Sequence, residues 1–469
     1  MNYKELGFKC GIEIHQQLEG KKLFCNCPTE IRKDKPDFSF DRRLRASSGE
    51  SGKIDVAAAS EQKKNKLFTY LGYNDTTCLV EMDEEPPGKI NETALNAAFQ
   101  VARMLNCKTT DKIQFMRKTV IDGSNTSGFQ RTAIIGRKGF IEVDGKKIGI
   151  AGVFLEEEAC QIISRTKDHD TYNLSRLGMP LLEIATDPDI SSPEECKLVA
   201  AKIGMVLRST GTCRRGIGSI RQDVNVSIKG SARVEIKGFQ DLKSIPKVVE
   251  NEVIRHQKIL AKGEKMQNEV RKAEPDFSST FLRLMPGAAR MYPETDIPTI
   301  IPENFKFEKI ETIDDKINRY KKNFKLNDDF AKLAVKYEDK ESFSLENLFK
   351  KYDSKLVVEF FTVIPKELKT RFDIEFDPKK LAEEVISKVS DGSLPKGSII
   401  DLLADYDKTK KLNFDKFKGV SSNDLEKEIK AIVDKNKGAS IGALMGIVMA
   451  KFQGKVDGKI AMELLKKYV

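Results

Sequence analysis

Polar and apolar residues alternate along residues 218–228, Gly-Ser-Ile-Arg-Gln-Asp-Val-Asn-Val-Ser-Ile. A β-strand sends residues i, i+2 and i+4 to one face. The run therefore predicts a strand with Ser219, Arg221, Asp223, Asn225 and Ser227 on one side. Ile220, Val224, Val226 and Ile228 face the other side, toward a core. A turn at Lys229-Gly230-Ser231 brings the chain back through residues 233–237, with Arg233, Glu235 and Lys237 on a common face. Such a hairpin carries a bed of charge. It reads either as the floor of an active site or as a solvated amphipathic surface.

The same period places Glu13 and His15 together in Gly11-Ile12-Glu13-Ile14-His15. Two further carboxylates sit among apolar strand residues. Glu157 shares parity with Val153 and Leu155, and Glu183 lies in Met179-Pro180-Leu181-Leu182-Glu183-Ile184. A carboxylate in a buried strand is costly unless it is paired or bound to a cation. Glu13, Glu157 and Glu183, with His15 beside them, are expected to hold a hard cation such as Mg²⁺; separate salt bridges are the alternative.

Helical periodicity predicts a helix over 91–106 and another opened by Ser192 as N-cap, with Pro193 in the first turn and Glu195 closing a capping box. The second should end near Gly211. A third is predicted over 244–260, stopping at Gly263, with His256 on its apolar stripe as a structural residue. His169 is expected in an exposed turn. Strands and helices mix without a βαβ rhythm, which predicts an α+β fold with an antiparallel sheet. After Pro302 the texture becomes helical, giving expected domains at 1–298, 299–416 and 417–469. In the last, Lys451, Lys455, Lys459, Lys466 and Lys467 spread charge over two helices packed through Leu444, Ile447, Val448, Leu464 and Leu465.

The net charge of +10 suits a polyanionic partner, but both signs are mixed along all 469 residues. No run of 18 apolar residues or N-terminal signal is present, and the eight cysteines are scattered, so a cytoplasmic protein with reduced thiols and no membrane span is expected. Cys25-x-Cys27 has no second pair close by and Cys78 stands alone, so no zinc is expected. Phosphate-loop, kinase and dinucleotide motifs are absent.

Several stretches together resemble the B/E subunit family of tRNA-dependent amidotransferases. They are Gly11-Ile12-Glu13-Ile14-His15, Leu155-Glu156-Glu157-Glu158-Ala159, Leu174-Ser175-Arg176-Leu177-Gly178-Met179-Pro180, Asp187-Pro188-Asp189-Ile190, the 218–227 run, Glu235-Ile236-Lys237 and Tyr292-Pro293-Glu294-Thr295-Asp296. Cys78-Leu79-Val80-Glu81-Met82-Asp83-Glu84-Glu85-Pro86-Pro87 and the segment 286–293 make it most similar to the archaeal E type. The resemblance implies a cradle-like antiparallel catalytic domain followed by two helical domains, the last a tRNA-binding tail. It implies ATP- and Mg²⁺-dependent conversion of Glu-tRNA(Gln) to Gln-tRNA(Gln). Glu13, Glu157 and Glu183 resemble the family's metal ligands, with His15 nearby, and Lys118 its basic residue by the ammonia path. Ser219, Arg221, Asp223, Asn225, Glu235 and Lys237 would line phosphates or substrate. Ammonia would come from a partner: an asparaginase-like glutaminase (D type), or, for a B-type enzyme that also takes Asp-tRNA(Asn), an amidase-type A subunit with a C subunit. A non-catalytic tRNA-binding protein is the remaining alternative. The E type's aspartyl-tRNA-synthetase-like insert is missing, since Glu269-Val270-Arg271 runs to Phe281-Leu282-Arg283 across a short gap.

Overall fold

The computed structural model describes residues 1–46, 52, 54, 56–239, 241–285, 291–305, 310–341, 343–419, 422–436, 438–452, 456 and 458–468. Residues 286–290, part of the family likeness, lie outside them, as do Lys455 and the Lys459 side chain. The chain divides into two compact units, Met1–Thr312 and Ile313–Val469.

The first unit is α+β. Its strands are β1 (Lys9–Gln17), β2 (Phe38–Arg42), β3 (Leu67–Gly72), β4 (Lys108–Thr109), β5 (Met116–Thr119), β6 (Phe129–Val143), β7 (Lys146–Glu157) and β8 (Gln161–Arg165). They continue as β9 (His169–Asn173), β10 (Pro180–Thr186), β11 (Ile220–Ser227), β12 (Val234–Phe239), β13 (Glu269–Ala273), β14 (Ser279–Leu284) and β15 (Met291–Pro293). The helices are α1 (Val56–Lys63), α2 (Glu92–Met104), α3 (Pro193–Ser209) and α4 (Ser244–Ala261). Eleven strands form one sheet in the order β14-β13-β12-β11-β1-β10-β7-β6-β5-β15, with β4 paired to β6. A smaller sheet runs β2-β3-β9-β8. All pairs are antiparallel except β12–β13 and β3–β9.

One face of the large sheet is apolar because the period-2 pattern makes it so. Ile12, Ile14, Val153, Leu155, Leu182, Ile184, Val224 and Val226 join Leu95 and Phe99 of α2, Val199 and Ile203 of α3, and Val249 and Val253 of α4 in one core. The helices thereby leave the opposite face of these strands for polar groups.

Local chemistry sets the helix ends. Asn91 accepts the Ala94 N–H and Ser192 the Glu195 N–H, each at 3.1 Å. The capping box expected at Glu195 does not close on Ser192: the carboxylate takes the backbone N–H and hydroxyl of Ser191 instead, at 2.5 and 2.7 Å. His256 is fully buried between Ser231 and Glu252. His169 departs from the expected turn: it opens β9, where its ring meets the Thr69 hydroxyl at 2.8 Å.

The second unit is helical and holds two separate apolar clusters. One includes Tyr320, Val357, Phe360, Phe361 and Leu402. The other includes Leu425, Ile429, Leu444, Val448 and Leu465. Ile447, expected among the packing residues of the second, is 40% exposed because it falls on the outer side of its helix.

Candidate active site

Directly opposed residues of an antiparallel pair point to the same face. His15 opposes Glu183 of β10 and Arg221 of β11, and Glu13 opposes Asp223. Asn225 opposes Glu235 of β12. Continuing that register sets Lys237 opposite Asp223, and the pairing slips only beyond them, where Gln222 meets Phe239. All of these occupy the polar face, and they assemble two carboxylate groups side by side. In one, ligand atoms of His15, Glu156 and Glu183 lie within 4.8 Å of one another; in the other, those of Glu13, Asp223 and Glu235 do.

In the first group His15 Nε2 is 3.3 Å from Glu183 Oε2, and its Nδ1 is buried with no hydrogen-bond partner among the described residues. Lys118 Nζ and Gln130 Nε2 donate to the two oxygens of Glu156 at 2.9 and 3.1 Å. Burial, then the nearby Glu183 charge, push the Glu156 carboxyl up; Lys118 and His15 offset this in part. Burial would also raise Glu183, but His15 and Lys118 and a hydrogen bond from Glu156 hold it down to about 2. Burial pulls the His15 imidazole down, and Glu183, Asp223 and Glu156 outweigh that and raise it.

In the second group Asn225 Nδ2 donates to Glu13 Oε1 at 3.1 Å. Lys237 is ion-paired with Asp223 at 2.5 Å and with Glu235. Burial first, then Glu183 and Glu235, push the Glu13 carboxyl up to about 7, against the pull of Lys237 and His15. Crowded carboxylates, of which Glu13 and Glu156 resist ionisation, and an imidazole nitrogen without a partner among the described residues fit divalent cations in charge and in donor type. Arg221 faces the same floor and is gripped by both oxygens of Glu158 at 2.7 and 3.0 Å; Gln17 donates to Glu158 at 2.9 Å.

Glu157, expected with Glu13 and Glu183, is not brought to them. Its parity with Val153 and Leu155 turns it to the opposite face of β7. There it pairs with Arg131 at 3.2 Å, and Arg131 also holds the fully buried Glu294 at 2.8 Å. A one-residue step along a strand exchanges its faces, so Glu156 takes the expected place. The parity of Phe154 and Glu156 was the available signal for it. Ser219 also stands apart: it lies in the turn before β11 and donates its hydroxyl to the Gly216 carbonyl at 2.7 Å.

A third metal-capable group was hidden by sequence distance. Cys25, Cys27, Cys78 and Glu81 present ligand atoms within 4.8 Å of one another. Cys78 therefore is not alone. Cys25 Sγ sits 2.9 Å from Glu81 Oε1, and the fully buried Lys22 Nζ lies 3.7 Å from the same oxygen.

Residues 8–307 match the family model described as the GatB/GatE catalytic domain. The E subunit of the glutamyl-tRNA(Gln) amidotransferase of Methanocaldococcus jannaschii is 36% identical over 625 aligned positions, covering 100% of this chain and 99% of the relative. The E subunit of the same name from Archaeoglobus fulgidus is 34% identical over 614 positions, covering 100% and 98%. Both alignments are far longer than the 469 residues present here, so the relatives carry stretches without a counterpart in this chain. Where the sequence suggested a missing insert, β13 and β14 are joined by a tight hairpin closed by Glu274 N to Ser278 O at 2.9 Å.

Proposed function

The chain belongs to the GatB/GatE catalytic-domain family, and from that premise we propose that it converts Glu-tRNA(Gln) to Gln-tRNA(Gln) at the carboxylate floor. The observation that carries this reading is the pair of carboxylate groups on one sheet face. A γ-carboxylate is a poor acyl donor because resonance spreads its charge. ATP transfers its γ-phosphoryl group to a carboxylate oxygen and ADP departs. Ammonia then attacks the acyl carbon, phosphate leaves, and the amide forms after loss of a proton. The phosphoryl step needs positioning and charge neutralisation more than covalent help from the protein.

Mg²⁺, when bound, neutralises charge on the transferring phosphoryl oxygens. His15, Glu156 and Glu183 would hold one ion, and Glu13, Asp223 and Glu235 another. Lys118 and Gln130 fix Glu156 in its ligating position. Lys237, clamped by Asp223 and Glu235, and Arg221, aimed by Glu158, offer fixed cations to phosphate or substrate. No amidohydrolase constellation stands in the sequence, so a glutaminase partner, of the asparaginase-like D type in this reading, delivers ammonia.

The test contrasts neighbouring residues. Glu156→Gln and Glu183→Gln should each lower tRNA-stimulated ATP hydrolysis by about 100-fold or more, the loss of roughly 3 kcal/mol of transition-state stabilisation, with tRNA binding retained. Glu157→Gln should instead lower thermal stability and leave the folded enzyme active. Wild-type turnover in both site variants would remove the floor from the chemistry.

A further inference from the structure

One row of directly opposed residues crosses the polar face of the large sheet. Asp223 opposes Glu13, Glu13 opposes Ala185, Ala185 opposes Gly152, Gly152 opposes Arg137, and Arg137 opposes Lys108 of β4. The row is anionic at one end and cationic at the other, with Ala185 and Gly152 between, and the Phe154 ring covers Gly152, where an added Cβ would lie 2.7 Å from it. Three strand spacings separate Glu13 from Arg137, about 14 Å of backbone.

The cationic end depends on an irregularity. The pairing of β6 with β7 slips by one residue between Ile134 and Gly136. A bulge of this kind re-aims the side chains that follow. Gly136 consequently meets α2 and the segment that follows it: an added Cβ would lie 3.0 Å from that of Ala102 and 2.8 Å from that of Cys107. Arg137 turns to the polar face; without the extra residue it would point at the helix. Arg137, Lys108, Lys112 and Lys138 then line a cavity of about 560 Å³ together with Thr110 and Asp111. The four cations are exposed, and among the described residues none has an ion-pair partner. Thr110 Oγ1 is buried there without a hydrogen-bond partner.

We propose that this basic cavity binds a backbone phosphate of the tRNA acceptor end, so that the esterified glutamate passes over Phe154 and Ala185 with its γ-carboxylate at Glu13 and Glu183. The inference rests on the tRNA reading above and adds a docking point to it. Four unpaired cations against one carboxylate select a polyanion. The span suits a few nucleotides of single strand leading from the cavity to the ester. Phosphate contacts of this kind fix position and carry no sequence information.

The test uses the full-length chain with any partner that accompanies it. Binding of Glu-tRNA(Gln) is measured across a salt series for wild type, for the charge-removing variant K108Q/K112Q/R137Q, and for the charge-keeping variant K108R/K112R/R137K. The charge-removing variant should bind about tenfold more weakly, and its plot of log affinity against log salt should be shallower by about 2. Its KM for tRNA should rise while kcat at saturation holds. The charge-keeping variant should match wild type. Unchanged affinity and salt slope in the charge-removing variant would overturn the proposal, as would an equal loss in the charge-keeping one, which would mark a structural role. A wild-type chain that binds no tRNA would refute the tRNA reading itself, and the cavity with it.

Discussion

Glu252 of α4 is 2% exposed and sits among three donors: His256 at 3.0 Å, Arg255 at 2.7 Å and Ser279 at 2.7 Å. Burial alone would raise its carboxyl, but these hydrogen bonds outweigh it and hold it down to about 2. A carboxyl depressed in the folded state stabilises the fold above its unfolded pKa and loses that contribution as pH falls through the folded value. Glu252 should therefore contribute on the order of 3 kcal/mol at neutral pH, lost between about pH 4.5 and 2. Glu252→Gln should lower the urea midpoint at pH 7 and flatten the pH dependence of stability in that window. An equal acid sensitivity in variant and wild type would contradict the assignment. The same scale decides the active site. Single-residue parity was legible for Glu13, His15, Glu183, Arg221, Asp223 and Asn225, because each alternates with a residue that is plainly core. It was legible for Glu157 too, as a core-facing position. The expectation went wrong by ranking burial in an apolar strand above the face on which that burial occurs. Arg131 and Glu294, which make the core-side position of Glu157 tolerable, are 26 and 137 residues away in the chain.

At the scale of elements, the signals that were read correctly are local. Asn91, Ser192 and Gly263 mark helix ends through bonds spanning three or four residues or through a positive φ of 73°. Pairing across long separations was not legible: β12 pairs with β13 in parallel, and the loop after β1 folds onto residues 78–81. The cysteine loop shows the consequence. Counting neighbours along the sequence gave two thiols, whereas the fold supplies three and a carboxylate. Four sulfur and oxygen donors in this space match tetrahedral zinc in number and type. Three thiolates and a carboxylate would carry more negative charge than zinc neutralises, and the buried Lys22 beside Glu81 offsets part of the excess. Against the expectation of no zinc, this cluster makes a zinc site the outcome to test. Protein purified from zinc-supplemented medium should contain about one zinc per chain, and Cys78→Ser should lose it together with several degrees of Tm. Metal-free protein whose Tm is indifferent to Cys78→Ser would return the three cysteines to the role of plain reduced thiols.

For the whole molecule, the separate cores of the second unit make the tail testable. Leu425, Ile429, Leu444, Val448 and Leu465 pack with one another and share no member with the cluster around Phe360, while Phe417 packs on the latter. A cut after Lys418 therefore leaves the larger helical core whole. Two of the tail lysines are already engaged within the tail, Lys451 with Glu428 and Lys467 with Glu426. Both pairs are exposed and worth little, so a polyanion can compete for them. Lys466 is exposed beside them. Removing residues 419–469 should weaken tRNA binding and make it less sensitive to salt, because fewer counterions are released. Turnover at saturating tRNA should fall much less than affinity, since the carboxylate floor belongs to the first unit. Circular dichroism and the Tm of the truncated chain guard against a trivial loss through unfolding. A truncated protein that stays folded and binds Glu-tRNA(Gln) with wild-type affinity and salt slope would make the tail a structural cap, and would leave the basic cavity of the first unit as the chain's remaining candidate grip on RNA.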